Sequence, residues 1–242
     1  MSPSYKSDIP EDEPEFFDEA SLWSTPYYTY ILVGAILAVT AIQITTGLER
    51  SIILAGFDKQ AFLHGEYWRI LTGATLHGNL PHVAMNCFAF YNFGKIFEML
   101  SNRAHLAIVF LISALGGGLL SVIFEPDGLS VGASGGIVGL VGYLAVYAFR
   151  RRQFVTAEFR KSLLTNIAII LIFGLLLFQV VDNYGHIGGL VTGAVYGLLQ
   201  ITADAYVDPR LARRPVQLLG IAAVAIYIGG CLFTSMIMLG RA

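Results

Sequence analysis

The sequence predicts an all-α, multi-pass membrane protein with seven transmembrane helices. Hydrophobic residues make up 55% of the 242 residues and charged residues only 13%, which is about half of the charged fraction in a soluble domain. Seven apolar runs of 16 to 24 residues follow one another, and each is near the length at which a helix crosses a bilayer. Lys and Arg gather in alternate loops between the later runs, which is the charge bias of a protein that crosses a membrane several times.

Composition divides the chain into three parts. Residues 1–25 are rich in Asp, Glu, Ser and Pro and offer few apolar groups for burial, which predicts a flexible acidic tail. Residues 26–203 hold six of the apolar runs and form the predicted core. Residues 204–242 hold a polar link and the seventh run, which adds one C-terminal transmembrane helix to the core.

The spans are placed by the change between polar and apolar residues at each end. A Tyr cluster opens the first span, where an aromatic belt is expected at the membrane interface. Pro81 opens the second span, where its missing N–H does no harm. The seven predicted spans are Tyr27–Thr46, Pro81–Met99, Ala104–Phe124, Ser134–Phe149, Leu163–Val181, Tyr184–Ala203 and Val216–Leu239.

The segment between the first two spans, Gly47–Leu80, is too long for a tight connection. It contains short apolar pieces that are separated by polar residues. We therefore expect short helices that lie in the membrane interface and do not cross the bilayer.

The basic residues predict the orientation of the chain. The loops after the second, fourth and sixth spans, together with the end of the second span, carry ten Lys or Arg residues, whereas the loops after the third and fifth spans carry none. The positive-inside rule places the basic loops, including one from Arg150 to Lys161, in the cytoplasm. The N-terminus is then cytoplasmic, and the start of the fourth span faces the outer side of what we expect to be the cell membrane. The ten residues are Lys95, Arg103, Arg150, Arg151, Arg152, Arg160, Lys161, Arg210, Arg213 and Arg214.

A glycine-rich stretch at the start of the fourth span, Val131–Gly139, contains one serine, Ser134. A serine between small residues at a loop-to-helix junction has an uncrowded hydroxyl and nearby backbone N–H groups, which a nucleophile needs. A capped helix start with a closely packed face has the same pattern. The 16-residue span covers roughly 24 Å of an approximately 30 Å hydrocarbon core. We therefore expect Ser134 below the outer surface, beside protein or a water-filled cavity.

His186 lies near the start of the sixth span, and an ionisable group inside a span indicates a functional site. Glycine recurs at every fourth residue along this span, at Gly185, Gly189, Gly193 and Gly197. Such a face allows another helix to approach closely, and the fourth span is also rich in glycine. Contact between the two would put the Ser134 hydroxyl beside an imidazole, the minimum for an activated serine. The alternative is an interfacial histidine whose ring lies among lipid headgroups.

The second span adds polar side chains near its start. His82 and Asn86 are four residues apart and share one helix face, and Asn86 lies five residues inside the span, where an amide needs a partner. Both are candidates to donate hydrogen bonds to an oxyanion. The alternative is an amide bond that only holds helices together. Asp182, just before the sixth span, is expected to be a packing or loop residue.

Together these motifs resemble the rhomboid family of intramembrane serine proteases, over roughly Gly65–Gly197. The resemblance implies a rhomboid-like six-helix core, to which the seventh span is added. Any one motif is weak, whereas several in the right order on the right spans are specific. The motifs are Glu66-Tyr-Trp68-Arg69, the set His77, His82 and Asn86, the run Gly132-Ala-Ser134-Gly135, and His186 with its trailing glycines.

The resemblance implies a Ser–His dyad in which Ser134 is the nucleophile and His186 is the general base and acid. Asn86 and His82 would bind the oxyanion together with the backbone N–H of Ser134. Substrates would be membrane proteins whose transmembrane helix unwinds near its outer end, and no metal, nucleotide or other cofactor is implied. Structural roles would fall to Trp68, Arg69, Gly132, Gly135, Gly189 and Gly193.

Two positions depart from the family's usual pattern. Val138 stands where a Tyr or Phe ring usually packs against the catalytic histidine, and Gly185 stands where Ala is common. Neither change removes a reacting group. The alternative function is that of a rhomboid-like protein that binds client transmembrane helices without cutting them, although such proteins usually lack the serine or the histidine.

Two other classes of protein are disfavoured by the sequence. A transporter needs charges or broken helices at mid-membrane in two related halves, and no internal repeat is visible. No basic patch indicates a nucleic acid as partner. The expected partners are the lipid bilayer and transmembrane-helix substrates.

Overall fold

A computed structural model describes residues 25–177, 181–204 and 206–240 of the chain. Residues 1–24 of the predicted acidic tail lie outside the described residues. Within the described part, ten helices and one pair of two-residue strands form. The helices are α1 (Tyr27–Thr46), α2 (Leu48–Ala55), α3 (Lys59–Leu63), α4 (Arg69–Gly73), α5 (Leu80–Leu100), α6 (Arg103–Phe124), α7 (Ser134–Arg150), α8 (Ala157–Leu176), α9 (Asn183–Gln200) and α10 (Arg214–Met238), and the strands are β1 (Phe57–Asp58) and β2 (Leu129–Ser130).

The all-α class is confirmed, and six of the seven predicted spans agree with helices to within three residues at each end. Helices α1, α6 and α10 are long and apolar enough to cross a membrane, and α7 is a shorter apolar helix of 17 residues. The short helices expected between the first two spans are α2, α3 and α4. The protein is an integral membrane protein.

The fifth span is the exception, because α8 begins six residues before the predicted Leu163. Thr156 caps the helix by accepting a hydrogen bond from the backbone N–H of Phe159, which fixes the start inside the basic segment. Arg160 and Lys161 therefore lie on the first turns of α8, and the prediction of a basic loop that reaches Lys161 is wrong. Long basic side chains can extend toward the interface from a helix end, so their charge does not stop the helix.

The central element of the bundle is α7, in which every residue from Gly136 to Leu144 is buried. Helices α5, α6 and α9 surround it. Aromatic rings fill the space between these helices: the ring centroids of Phe90 and Phe110 are 4.6 Å apart, and those of Phe97 and Tyr143 are 4.3 Å apart. The core is thus built around the helix that begins at Ser134.

Glycine allows α7 and α9 to touch backbone to backbone. A Cβ atom added to Gly189 would overlap the backbone of Gly135, and one added to Gly193 would overlap that of Gly139. Lipid tails are as apolar as the side chains, so helices in a membrane associate through such close packing. The glycine repeat of α9, the sixth predicted span, therefore packs against α7, the fourth predicted span, as the sequence predicted.

A short antiparallel strand pair joins the segment after α1 to the loop before α7. Phe57 pairs with Ser130 and Asp58 with Leu129. This pair was not predicted, because two residues are too few to show the alternation of a strand. The pair anchors the loop that leads to Ser134.

The C-terminal helix α10 packs against α6, α1 and the connecting segment that precedes α5. The Tyr227 hydroxyl donates a hydrogen bond of 3.1 Å to the carbonyl of Ala74, and the Thr75 hydroxyl donates one of 3.0 Å to Thr234. The ring of Phe233 meets the ring of Trp68 edge to face, with 5.6 Å between centroids. Through these contacts α10, which is the seventh predicted span, braces the segment between α1 and α5.

We expect Tyr227→Phe to lower the free energy of unfolding by about 1–3 kcal/mol, because it leaves the buried Ala74 carbonyl without its donor. Tyr227 is fully buried, and the ring itself is retained. Tyr27→Phe is the matched control, because Tyr27 is 55% exposed at the start of α1. Thermal unfolding in detergent would measure both variants, and equal stability of the two would contradict the bracing role.

Candidate active site

Ser134 is the first residue of α7, and Gly132 lies two residues before it. Gly132 has a φ of +130°, a conformation that favours glycine. Its N–H donates a hydrogen bond of 2.9 Å to the carbonyl of Gly73. The connecting segment thus holds the backbone two residues before Ser134.

His186 lies on the first turn of α9 and reaches Ser134 across the helix interface. Its Nε2 atom is 2.8 Å from the Oγ atom of Ser134. The start of α9 is capped by Asp182, whose side chain accepts a hydrogen bond of 2.7 Å from the N–H of Gly185. The structure therefore brings together the serine and the histidine that the sequence singled out.

This arrangement has the chemistry of an activated nucleophile. The imidazole can accept the hydroxyl proton, which makes the Ser134 oxygen a better nucleophile. The first N–H groups of a helix have no partner within that helix, so the start of α7 also supplies donors beside the Ser134 hydroxyl. Donors in that position can stabilise an oxyanion.

His82 and Asn86 lie on α5 and face Gly132. A Cβ atom added to Gly132 would be 3.0 Å from the ring atoms Cε1 and Nε2 of His82 and 3.7 Å from Nδ2 of Asn86. Asn86 is buried, and its Nδ2 has no hydrogen-bond partner among the described residues. A buried donor of this kind is free to bind a ligand. Both residues thus lie beside the loop that carries Ser134.

The buried side chain of His77 packs behind His82, with 5.1 Å between the ring centroids. The Gln43 side chain holds the backbone of His77 on both sides, since it donates to the carbonyl at 3.2 Å and accepts from the N–H at 3.0 Å. Burial, with a smaller effect of the neighbouring His82, lowers the pKa of His77 to about 3. His77 is therefore neutral at physiological pH and supports the ring of His82.

Trp68 and Arg69 connect parts of the segment before α5. Arg69 donates hydrogen bonds to the Glu66 carboxylate at 2.6 Å and to the Gly56 carbonyl at 2.9 Å. Its guanidinium lies over the Trp68 ring, 4.7 Å from the centroid. The structural role that the family resemblance implies for this pair stays a prediction.

A cavity of about 50 Å³ opens beside the dyad and is large enough for at least one water molecule. Ser134, His186 and Gly132 line it. The sequence predicted that Ser134 lies beside protein or a water-filled cavity; the depth of this site in the membrane stays a prediction.

Asp182 also lines this cavity, which the sequence analysis did not predict. Its carboxylate accepts hydrogen bonds from Ser121 at 2.7 Å and from Ser130 at 2.6 Å, in addition to the bond from Gly185. Asp182 was expected to be a packing or loop residue, and the structure shows in addition that its carboxylate bonds three separate parts of the chain. One signal was present in the sequence, since an Asp four residues before His186 stands where a helix cap is expected.

Comparison with known proteins identifies the family. The sequence model of the Rhomboid domain family matches residues 64–203, more than half of the chain. The chain belongs to the rhomboid family. The matched range ends within a few residues of α9 and includes every candidate site residue.

Several curated rhomboids are similar to this one. Rhomboid protease GluP of Bacillus subtilis is 31% identical over 175 residues, which are 69% of this chain and 34% of that protein. RHOMBOID-like protein 6, mitochondrial, of Arabidopsis thaliana is 36% identical over 60% of this chain and 48% of that protein. Rhomboid-like protease 3 of Toxoplasma gondii is 29% identical over 60% of this chain and 56% of that protein. The chain thus spans from about a third to just over half of the length of these relatives.

The glycine contact between α7 and α9 leads to a prediction about this rhomboid. We expect Gly193→Ala to cost about 1–3 kcal/mol of stability, because the added methyl overpacks a closed interface. The separation of the two helices should also slow the reaction of Ser134 with a fluorophosphonate. Thermal unfolding and the labelling rate measure the two effects.

Gly34→Ala on α1 is the matched control, because an added Cβ there meets no atom within 4 Å. Alanine also favours a helix over glycine by about 0.5–1 kcal/mol. The control should therefore be as stable as the parent protein or slightly more stable. Equal behaviour of the two alanine variants would contradict backbone contact between α7 and α9.

The stability of the protein should depend on pH through His77. An unfolded histidine has a pKa near 6.5, so below about pH 6.5 the unfolded chain binds a proton at His77 that the folded chain binds only near pH 3. The contribution of His77 to the free energy of unfolding is therefore complete above the pKa that this histidine has in the unfolded chain. It is lost as the pH falls from about 6.5 toward 3. We expect His77→Phe to show a smaller drop in melting temperature between pH 7 and pH 4 than the parent protein.

Phenylalanine suits this test because neither ring nitrogen of His77 has a hydrogen-bond partner in the described part of the chain. His64→Gln is the control, since His64 is exposed and its variant should keep the full pH dependence. If the melting temperature of His77→Phe fell between pH 7 and pH 4 as much as that of the parent protein, another group would dominate the loss of stability in acid.

Proposed function

We propose that this rhomboid is an intramembrane serine endopeptidase that cleaves peptide bonds with a Ser134–His186 dyad. The observation that carries the proposal is the 2.8 Å separation between Nε2 of His186 and Oγ of Ser134. The name of the protease from Bacillus subtilis and the family membership support the same reaction class.

In the proposed reaction, Oγ of Ser134 attacks the scissile carbonyl carbon as its proton passes to Nε2 of His186. The tetrahedral intermediate collapses, the C–N bond breaks, and His186 returns the proton to the leaving amine. An acyl-serine remains. Water from the cavity then attacks the acyl carbon with His186 again as base, which releases the carboxylic acid and restores Ser134.

The oxyanion of each tetrahedral intermediate would be bound by the backbone N–H of Ser134 and by the side chains of Asn86 and His82. The free Nδ2 of buried Asn86 supports this assignment. Donors that are already in place need no rearrangement when the charge develops. Metal or cofactor binding is not part of the proposed reaction.

The proposed substrates are membrane proteins whose transmembrane helix unwinds near its outer end. At about 1.5 Å per residue, the 17 residues of α7 extend for roughly 26 Å and do not fill a hydrocarbon core of about 30 Å. Together with the basic loops, which the positive-inside rule assigns to the cytoplasm, this length supports a site below the outer surface of the cell membrane. The N-terminus would then be cytoplasmic.

The test uses purified protein in detergent, first with a fluorophosphonate and then with a transmembrane-segment substrate. We expect Ser134→Ala and His186→Ala each to lower the cleavage rate by at least about 1,000-fold, because the two groups act as a unit. Ser235→Ala is the control, since its hydroxyl bonds the carbonyl of Cys231 within α10 and should not affect cleavage.

Undiminished cleavage by Ser134→Ala would refute the assignment of the nucleophile. Tight binding of a transmembrane helix by a parent protein that neither cleaves it nor reacts with the fluorophosphonate would favour the alternative of a client-binding, non-cleaving rhomboid.

A further inference from the structure

The carboxylate of Asp182 lies where three parts of the protein meet, at the end of the bundle that holds the dyad. Its Oδ1 accepts from the N–H of Gly185, and its Oδ2 accepts from the hydroxyl of Ser130 at 2.6 Å. The buried hydroxyl of Ser121, on the last turn of α6, is 2.7 Å from both oxygens. One side chain therefore bonds α9, β2 and α6 at once.

These bonds connect the two chain segments that carry the residues of the dyad. Gly185 is the residue before His186, and Ser130 is four residues before Ser134. The carboxylate thus links the start of the helix that carries the base to the loop that carries the nucleophile. The link lies at the wall of the cavity, which Asp182, Ser130 and both dyad residues line.

A buried cation completes the cluster. The Lys59 side chain is 1% exposed, and its Nζ is 3.8 Å from Oδ2 of Asp182 and 3.5 Å from Oε2 of Glu125. Burial of an unpaired ammonium is costly, so the two carboxylates compensate its charge. Lys59 follows β1 directly, and β1 pairs with β2, so the ion pair fixes the strand pair to the same point.

We propose that Asp182 is a positioning residue of the reaction, which sets the separation of Ser134 and His186 by tying the start of α9 to the loop before α7. This inference rests on the proposed protease function. The dyad has a hydrogen bond of 2.8 Å, and a misplacement of about 1 Å in such a site can cost about 100-fold in rate.

The role differs from that of a simple helix cap, because the cap and the tie use different atoms. Ser130→Ala removes the tie to the nucleophile loop and leaves the bond from Gly185 in place. Asp182→Ala removes both, and Asp182→Asn keeps an acceptor for the Gly185 N–H while it removes the charge. A cap alone would make α9 less stable without a specific effect on the serine.

The experiment measures kcat, KM, the rate of Ser134 labelling by a fluorophosphonate, and the melting temperature for the full chain in detergent. We expect Asp182→Ala to lower kcat and the labelling rate by about 10- to 100-fold, with a change in KM below about threefold. Ser130→Ala should lose about three- to tenfold in the same two quantities. The double variant should be no slower than Asp182→Ala alone, because both changes remove one shared interaction.

Thr156→Ala is the matched control, because it removes the side-chain cap of α8 without touching the cavity. Its kcat should stay within about twofold of the parent protein, because the loss of this cap weakens only the start of α8. Ser130→Ala and Asp182→Asn keep the inference testable if Asp182→Ala does not fold.

Three results would overturn the inference while the proposed function stands. The first is parent-like kcat and labelling in the Asp182 and Ser130 variants beside an inactive Ser134→Ala. The second is a rate loss in those variants that is no larger than that of Thr156→Ala at an equal fall in melting temperature. The third is independent, multiplicative losses in the double variant. A parent protein that neither cleaves nor reacts with the fluorophosphonate would overturn the proposed function and this inference together.

Discussion

The structure depends on the backbone contact between α7 and α9. Gly189 lies against Gly135 and Gly193 against Gly139 with no room for a side chain, so this pair of helices can pack in only one register. In lipid, close packing of this kind takes the place of the hydrophobic drive that folds soluble domains. The register places residues at the same end of both helices side by side, and Ser134 and His186 are at that end. The helix contact therefore sets the geometry of the site before any polar interaction is made.

Polar interactions then fix the loops at that end of the bundle. A buried backbone group must find a hydrogen-bond partner, and the segment between α1 and α5 meets this requirement through many separate bonds. Gly73 accepts from Gly132, Ala74 accepts from Tyr227, and His77 is held by Gln43. These bonds link the segment, with its short helices α2, α3 and α4, to the rest of the protein. It forms one wall of the cavity and supports the loop before Ser134.

The parts of this structure that could be predicted are those encoded locally. The spans follow from apolar runs, and the pairing of α7 with α9 follows from a four-residue glycine repeat, as does the approach of His186 to Ser134. The start of α8 was mispredicted because Arg160 and Lys161 look like loop residues, although a single cap at Thr156 decides the matter. The strand pair and the cluster around Asp182 were missed because their partners, such as Lys59 and Ser130, lie far away in the sequence and carry no pattern of their own.

The departure at Val138 gives these long-range contacts a further importance. Where an aromatic ring usually packs against the histidine in this family, Val138 offers a smaller and buried side chain that cannot stack on an imidazole. The Nδ1 atom of His186 has no hydrogen-bond partner among the described residues, so no hydrogen bond from those residues orients that side of the ring. The orientation of His186 then depends on its bond to Ser134 and on how firmly the start of α9 is held. Asp182 bonds to Gly185, Ser130 and Ser121, and under the proposed function these bonds would take the place of a stacked ring.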